Sequence, residues 1–175
     1  MASPSSRRTQ RGFTLIELVV VISILAILSG VLVPRVTNHL RASRDARRLA
    51  DINAVREAIE QYYQDKGGYP APNSNSSYGG WDVSSDSDFI HVLTEEGYLN
   101  EDARDPLNDA TFHYRYYVYA KDSYGCVGSA SFYVLGIRSF ESSDFAARNK
   151  GYFACSGRNW NDEFAYVTGG GASLK

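Results

Sequence analysis

Glu17 is the only charged residue in an apolar run of 22 residues from Phe13 to Pro34. A charge at mid-bilayer depth costs roughly 2.5 to 3.5 kcal/mol on insertion scales, so a chain that keeps one calls for a cationic partner. The other groups able to do chemistry are few. Cys126 and Cys155 are the only two cysteines, and an even pair in a non-catalytic domain fits an oxidising compartment. If bonded, they close a loop that the chain-entropy model values at about 3 to 4 kcal/mol; two free buried thiols are the alternative. His39, His91 and His113 are scattered, and neither an HExxH nor a GxSxG pattern occurs, so no enzyme is expected. Asp105, Asn108 and Asp109 offer hard oxygen ligands, as do Asp82, Asp86 and Asp88. Neither set has the spacing of a known calcium loop, so both read as solvated turns, the first as a weak calcium candidate, and no cofactor is expected.

The segment that carries Glu17 is long enough to cross a bilayer, since 22 helical residues reach roughly 33 Å. Ahead of it lie Arg7, Arg8 and Arg11 without an acid, as a cytoplasmic flank requires. A cleaved secretory signal is excluded by the length of the run and the lack of a small-x-small site at its end. The residues beyond it are basic too (Arg35, Arg41, Arg44, Arg47 and Arg48 against Asp45), so charge counting alone does not orient the span.

The stretch Gly12-Phe13-Thr14-Leu15-Ile16-Glu17-Leu18 resembles the processing site of type IV prepilins and type II secretion pseudopilins. The resemblance implies that a prepilin peptidase cuts between Gly12 and Phe13, removes a leader of residues 1–12 and methylates the new amine of Phe13. Glu17 then matches the family's acid one turn into the mature helix. A fresh ammonium at Phe13, on the same or an adjacent subunit, is the cation it calls for, and such a pair acts as a register device more than as net glue. The resemblance also implies a single-pass precursor in the inner (cytoplasmic) membrane with its carboxy-terminal domain outside, later a periplasmic or cell-surface filament. The partners so implied are other pilin subunits and a membrane assembly platform driven by an ATPase.

Helical periodicity continues past the apolar run. Val36, Leu40, Leu49, Ile52, Val55, Ile59 and Tyr62 make a stripe, with Ser43 and Ala46 bridging its gap and Arg44, Arg47, Arg48, Asp51, Glu57 and Glu60 on the remainder. The helix is predicted to end near Lys66, where Gly67 and Gly68 can cap it and Pro70 forbids continuation. Gly30 and Pro34 weaken its middle, so a kink or local melt is expected there, and the family's filaments place helix breakers similarly. Residues 69–87 read as a surface loop whose Asn75-Ser76-Ser77 sequon is taken as chance. A short helix through Phe89, Ile90 and Leu93, capped by Asp86 or Ser87, stops at Gly97. Alternation over residues 111–120 and 132–137 predicts antiparallel strands with one buried face. Shorter strands are predicted at 151–155 and 164–167, and Gly169 to Gly171 are expected to be loose.

The sequence therefore divides into a leader, 1–12; a transmembrane or filament-core half-helix, 13–34; an amphipathic half, 35–66; and a globular domain, 67–175. The fold class is α+β, a long helix packed on a small antiparallel sheet in a pilin-like ladle. Tyr62-Tyr63, Asp65, Gly68-Tyr69-Pro70, Gly97-Tyr98-Leu99, Asp105-Pro106 and Tyr114 fall in the order seen in major pseudopilins and related pilins, a second and weaker resemblance. The family's calcium loop is not recognisable and the cysteine pair is more pilin-like, so pilus and secretion pseudopilus both stay open. Beyond Gly67 there are 14 acidic against 8 basic residues, which argues against nucleic-acid binding there. The expected function is a filament subunit assembled through Phe13, Glu17, Gly30 and Pro34. A membrane-anchored binding module that does not polymerise is the alternative.

Overall fold

The structure, a computed structural model, describes residues 13–86, 88–128 and 130–172, and for residues 31–34 the backbone alone. The leader, Gly12 and the possible cap Ser87 lie outside the described residues. Helix α1 runs from Leu15 to Lys66. Contacts divide the chain into two compact units after His39, each taken here by itself.

In the first unit α1 is opened by a capping box. The hydroxyl of Thr14 accepts the Glu17 N–H at 3.3 Å, while the Glu17 carboxylate accepts the Thr14 N–H at 2.8 Å. Residues 30–34 are helical, so the local melt expected at Gly30 and Pro34 does not occur in this state.

In the second unit the end of α1 is as predicted. Gly67 takes φ 73°, a left-handed value that glycine adopts without a Cβ clash, and its N–H reaches the Tyr63 carbonyl at 2.9 Å. The sheet is antiparallel throughout, in the order β1 (Asp82–Val83), β2 (Tyr114–Tyr119), β3 (Phe132–Ile137) and β6 (Tyr166–Gly170). Its α1 side holds Tyr114, Tyr116, Tyr133, Leu135 and Ile137 against Ile52, Val55 and Ile59. The three tyrosines send their hydroxyls out of this core, to Asp51 (2.9 Å), the Pro70 carbonyl (2.9 Å) and Glu60 (2.8 Å) respectively, which satisfies their polar tips.

The single buried face that alternation predicted is corrected, because the opposite face is buried too. Phe132 and Val134 meet Trp81, Phe153, Trp160, Phe164 and Val167 there. Loops supply that cover, and Gly136 permits it, since a Cβ at this position would lie 2.6 Å from the Phe164 ring.

Several boundaries also shift. Helix α2 is only Val92–Glu95, because the chain turns at Ile90 (φ 45°) and Asp86 is engaged by the Asn75 amide rather than capping a helix. Strand β2 begins at Tyr114, since Asp109 captures the Thr111 and Phe112 N–H groups, both at 2.8 Å. Gly169 and Gly170 are not loose but pair with Val134 and Tyr133 in β6. Helix α3 (Ser143–Arg148) carried too short a pattern to be predicted; its cap is the Ser142 hydroxyl. Strands β4 (Ala154–Cys155) and β5 (Arg158–Asn159) form a separate hairpin.

Candidate assembly segment

The segment around Glu17 presents its apolar side chains outward: Phe13, Leu15 and Ile16 are exposed, as are Ile22, Ile24 and Ile27 further on. Residues of this helix make a stretch of mean hydropathy 2.8, long and apolar enough to cross a membrane by length and composition, with none of that stretch buried. Such a surface is stable only in lipid or against other apolar surfaces. Glu17 is its one carboxylate, and Thr14 donates to it from both its N–H and its hydroxyl at 2.8 Å. Thr14 is the site residue the sequence reading overlooked, although Thr-x-x-Glu ahead of an apolar run is a readable helix-start signal. Phe13 and Glu17 thus lie within one turn of each other. Gly12 lies outside the described residues, as does the side chain of Pro34. An added Cβ at Gly30 would meet nothing within 4 Å, so close packing inside the subunit is not what selects glycine there.

The two cysteines come together as a disulfide, Cys126–Cys155, with Cα atoms 5.0 Å apart. It ties the turn after β2 to the β4–β5 hairpin, and Cys126 is buried.

The calcium candidates do not converge. Asp105 is held by Arg48 through two hydrogen bonds of 2.6 and 2.9 Å. Asn108 accepts from the Ser84 hydroxyl at 2.9 Å, and Asp109 is committed to Thr111 and Phe112. Those two amides, Phe112 first, hold the Asp109 carboxyl below its ordinary range.

A buried ion cluster includes Arg48, which the sequence reading set off the apolar stripe. Asp45 and Arg48 are fully buried and bonded at 2.6 Å, and Arg48 also meets Glu141 at 2.9 Å. Arg44 binds the same Glu141 at 2.5 Å, and Asp45 accepts the N–H groups of Glu141 and Ser142 at 3.0 and 2.8 Å. Burial opposes the Arg48 charge, yet the bonds to Asp105, Glu141 and Asp45 outweigh it and raise its pKa. Arg44, with help from Arg48, holds the Glu141 carboxyl at about 2. The predicted stripe is corrected accordingly: Asp45 and Arg48 bridge its gap, while Ser43 and Ala46 are exposed.

Residues 7–33 match the family model of the prokaryotic N-terminal methylation motif. The fimbrial protein EcpC of Eikenella corrodens is 35% identical over 68 residues, 39% of this chain and 44% of the relative. The type II secretion system core protein G of Pseudomonas aeruginosa is 40% identical over 65 residues, 37% of this chain and 46% of the relative. Over its amino-terminal part the chain is thus similar to type IV fimbrial proteins and to type II secretion core proteins. The type IV major fimbrial protein FimA of Dichelobacter nodosus is a further relative, 33% identical over 82 residues, 46% of this chain and 49% of the relative. The chain therefore spans just under half the length of these curated relatives. No solved structure matches it.

Proposed function

We propose that the chain is a prepilin whose mature form is a structural subunit of a type IV pilus-like or type II secretion pseudopilus filament. A peptidase cuts after Gly12 and the amine of Phe13 is methylated. The apolar half of α1 waits in the membrane until an ATPase-driven platform extracts it. The observation that carries the reading is a membrane-length apolar stretch of α1, none of it buried, with one carboxylate in the first turn of the helix.

Cleavage at Phe13 would create an ammonium beside a carboxylate already oriented by Thr14. In apolar surroundings an unpaired charge is strongly disfavoured, so Glu17 and the amine of its own or a neighbouring subunit fix the axial step. Moving apolar side chains from lipid into a protein core exchanges one apolar solvent for another, which leaves packing and this pair to favour assembly. Gly30 and Pro34 sit four apart, so the missing Pro34 N–H is the one that would have bound the Gly30 carbonyl, and the helix can unwind there when subunits pack.

Electron microscopy of cells carrying Glu17→Ala, with mass spectrometry of the mature amino terminus, tests the reading. Filaments should be lost while processing at Phe13 persists. Normal filaments from the variant would remove the register role. A native protein that keeps its first twelve residues and stays monomeric would leave a membrane-anchored module instead.

A further inference from the structure

Five Lys and Arg side chains of the second unit form ion pairs with carboxylates among the described residues. Arg44 and Arg48 bind Glu141, Arg47 faces Asp51, Lys66 meets Glu96 and Arg158 forks onto Glu163. Among those outside such pairs, two stand side by side on the sheet face away from α1. Arg115 in β2 is half-buried, and its Nε donates to His113 Nε2 at 2.9 Å. Its guanidinium lies over the Tyr78 ring, 5.3 Å from the centroid, and His113 meets the same ring edge-on at 5.4 Å. Arg138, just past β3, donates its N–H to the His113 carbonyl at 3.0 Å, which puts it opposite His113 and beside Arg115. It is exposed, and its side chain donates to the Glu163 carbonyl. Among the described residues no carboxylate forms an ion pair with either arginine, and the nearby Glu163 carboxylate is occupied by Arg158 at 2.8 and 2.9 Å.

Two adjacent guanidinium groups, one of them partly desolvated, repel each other, and the more distant Glu163 charge offsets this only in part. Burial, and then the Arg138 charge, push the Arg115 pKa below its ordinary value. Buried and half-buried charges are as a rule paired, so the geometry calls for an anion from outside the subunit. The fork of a guanidinium matches a planar carboxylate, and Tyr78 fixes the plane of Arg115. The chain itself is a source: Glu57, Asp122, Asp144 and Asp162 are exposed and, among the described residues, form no ion pair. Acids also outnumber bases 14 to 8 beyond Gly67, which disfavours a polyanion such as nucleic acid.

We propose that Arg115 and Arg138 form a carboxylate-binding site that is filled, in the filament, by an acidic side chain of a second copy of this chain. The inference rests on the filament reading and names a contact between globular domains, distinct from the Glu17 pair.

The test is charge exchange in cells making this chain, with filaments sheared, counted and tested for salt stability. Arg138→Glu should lower filament yield at least tenfold while the melting temperature of the domain stays within a few degrees of wild type. Adding Lys at Glu57, Asp122, Asp144 or Asp162, or at Asp88, Glu95 or Glu101, should restore yield at one of these positions and not at the others. Arg138→Gln, which introduces no new charge, should lower yield at least threefold and keeps the test open if the reversal misfolds. Wild-type yield from Arg138→Glu would overturn the site and leave the filament reading standing, as would a loss that no Lys exchange repairs, those at Asp88, Glu95 and Glu101 included. Absence of filaments from the wild-type chain itself would remove both.

Discussion

Arg48 is a guanidinium sealed from water, and every one of its anionic partners is supplied by a different stretch of chain: its own helix, the loop at Asp105 and the loop at Glu141. Because the desolvation of several charges is offset only by their mutual bonds, such a cluster adds little net stability when whole, yet removing one member is severe. Arg48→Met should lower the unfolding free energy by about 3 to 5 kcal/mol, read from the denaturant midpoint, because Asp45 and Asp105 would be left buried without a cation. Arg47→Ala, at a half-exposed pair 3.7 Å apart, should change it by less than about 1 kcal/mol. The contrast between adjacent arginines separates burial from charge as the cause.

At the scale of elements, the disulfide holds a turn whose backbone is strained: Asp122 and Tyr124 both have positive φ, 63° and 53°. Cys126→Ser paired with Cys155→Ser should therefore reduce stability by about 3 to 4 kcal/mol, seen as a drop in melting temperature that reductant reproduces in the native protein. What the sequence made legible follows from how far each pattern extends. The end of α1 needs only Gly67 and Pro70, and β3 spans six residues, long enough to stand out, so both were found where they are. By contrast β1 has two residues, too few to alternate, and α3 has six. The second buried face escaped notice because its covers, Trp81, Trp160 and Phe164, lie in loops with no periodicity of their own. Arg48 was placed off the stripe by residue type and Asp45 was given no place, although their three-residue spacing puts them on the stripe that Ile52 and Val55 continue. At the candidate site Phe13 and Glu17 were legible from type and spacing, whereas the role of Thr14 needed the geometry of the first turn.

For the whole molecule, two carboxyls set opposite pH dependences. Burial, with Asp86 and Asp88 adding to it, raises Asp82 from 3.8 to about 6 despite the Asn73 and Ile90 N–H groups it accepts. The folded chain then holds a proton that the unfolded chain has released, so this residue's contribution falls as pH rises across that interval. Glu141 is shifted the other way, from 4.5 to about 2, and its contribution is lost as pH drops through that range. Melting temperature plotted against pH should accordingly peak at about pH 4, with Asp82→Asn flattening the fall between 3.8 and about 6 and Glu141→Gln the fall between 4.5 and about 2. A native melting temperature that does not fall between pH 3.8 and about 6 would contradict the assignment to Asp82. The buried ion cluster on α1 also decides where the polypeptide can be trimmed. A fragment starting at Gly67 would strip away Ile52, Val55 and Ile59, and one starting at Leu49 would amputate Asp45 and Arg48. Starting at Leu40 leaves both sets whole and discards the greasy half, so a water-soluble version for crystals or spectroscopy begins there.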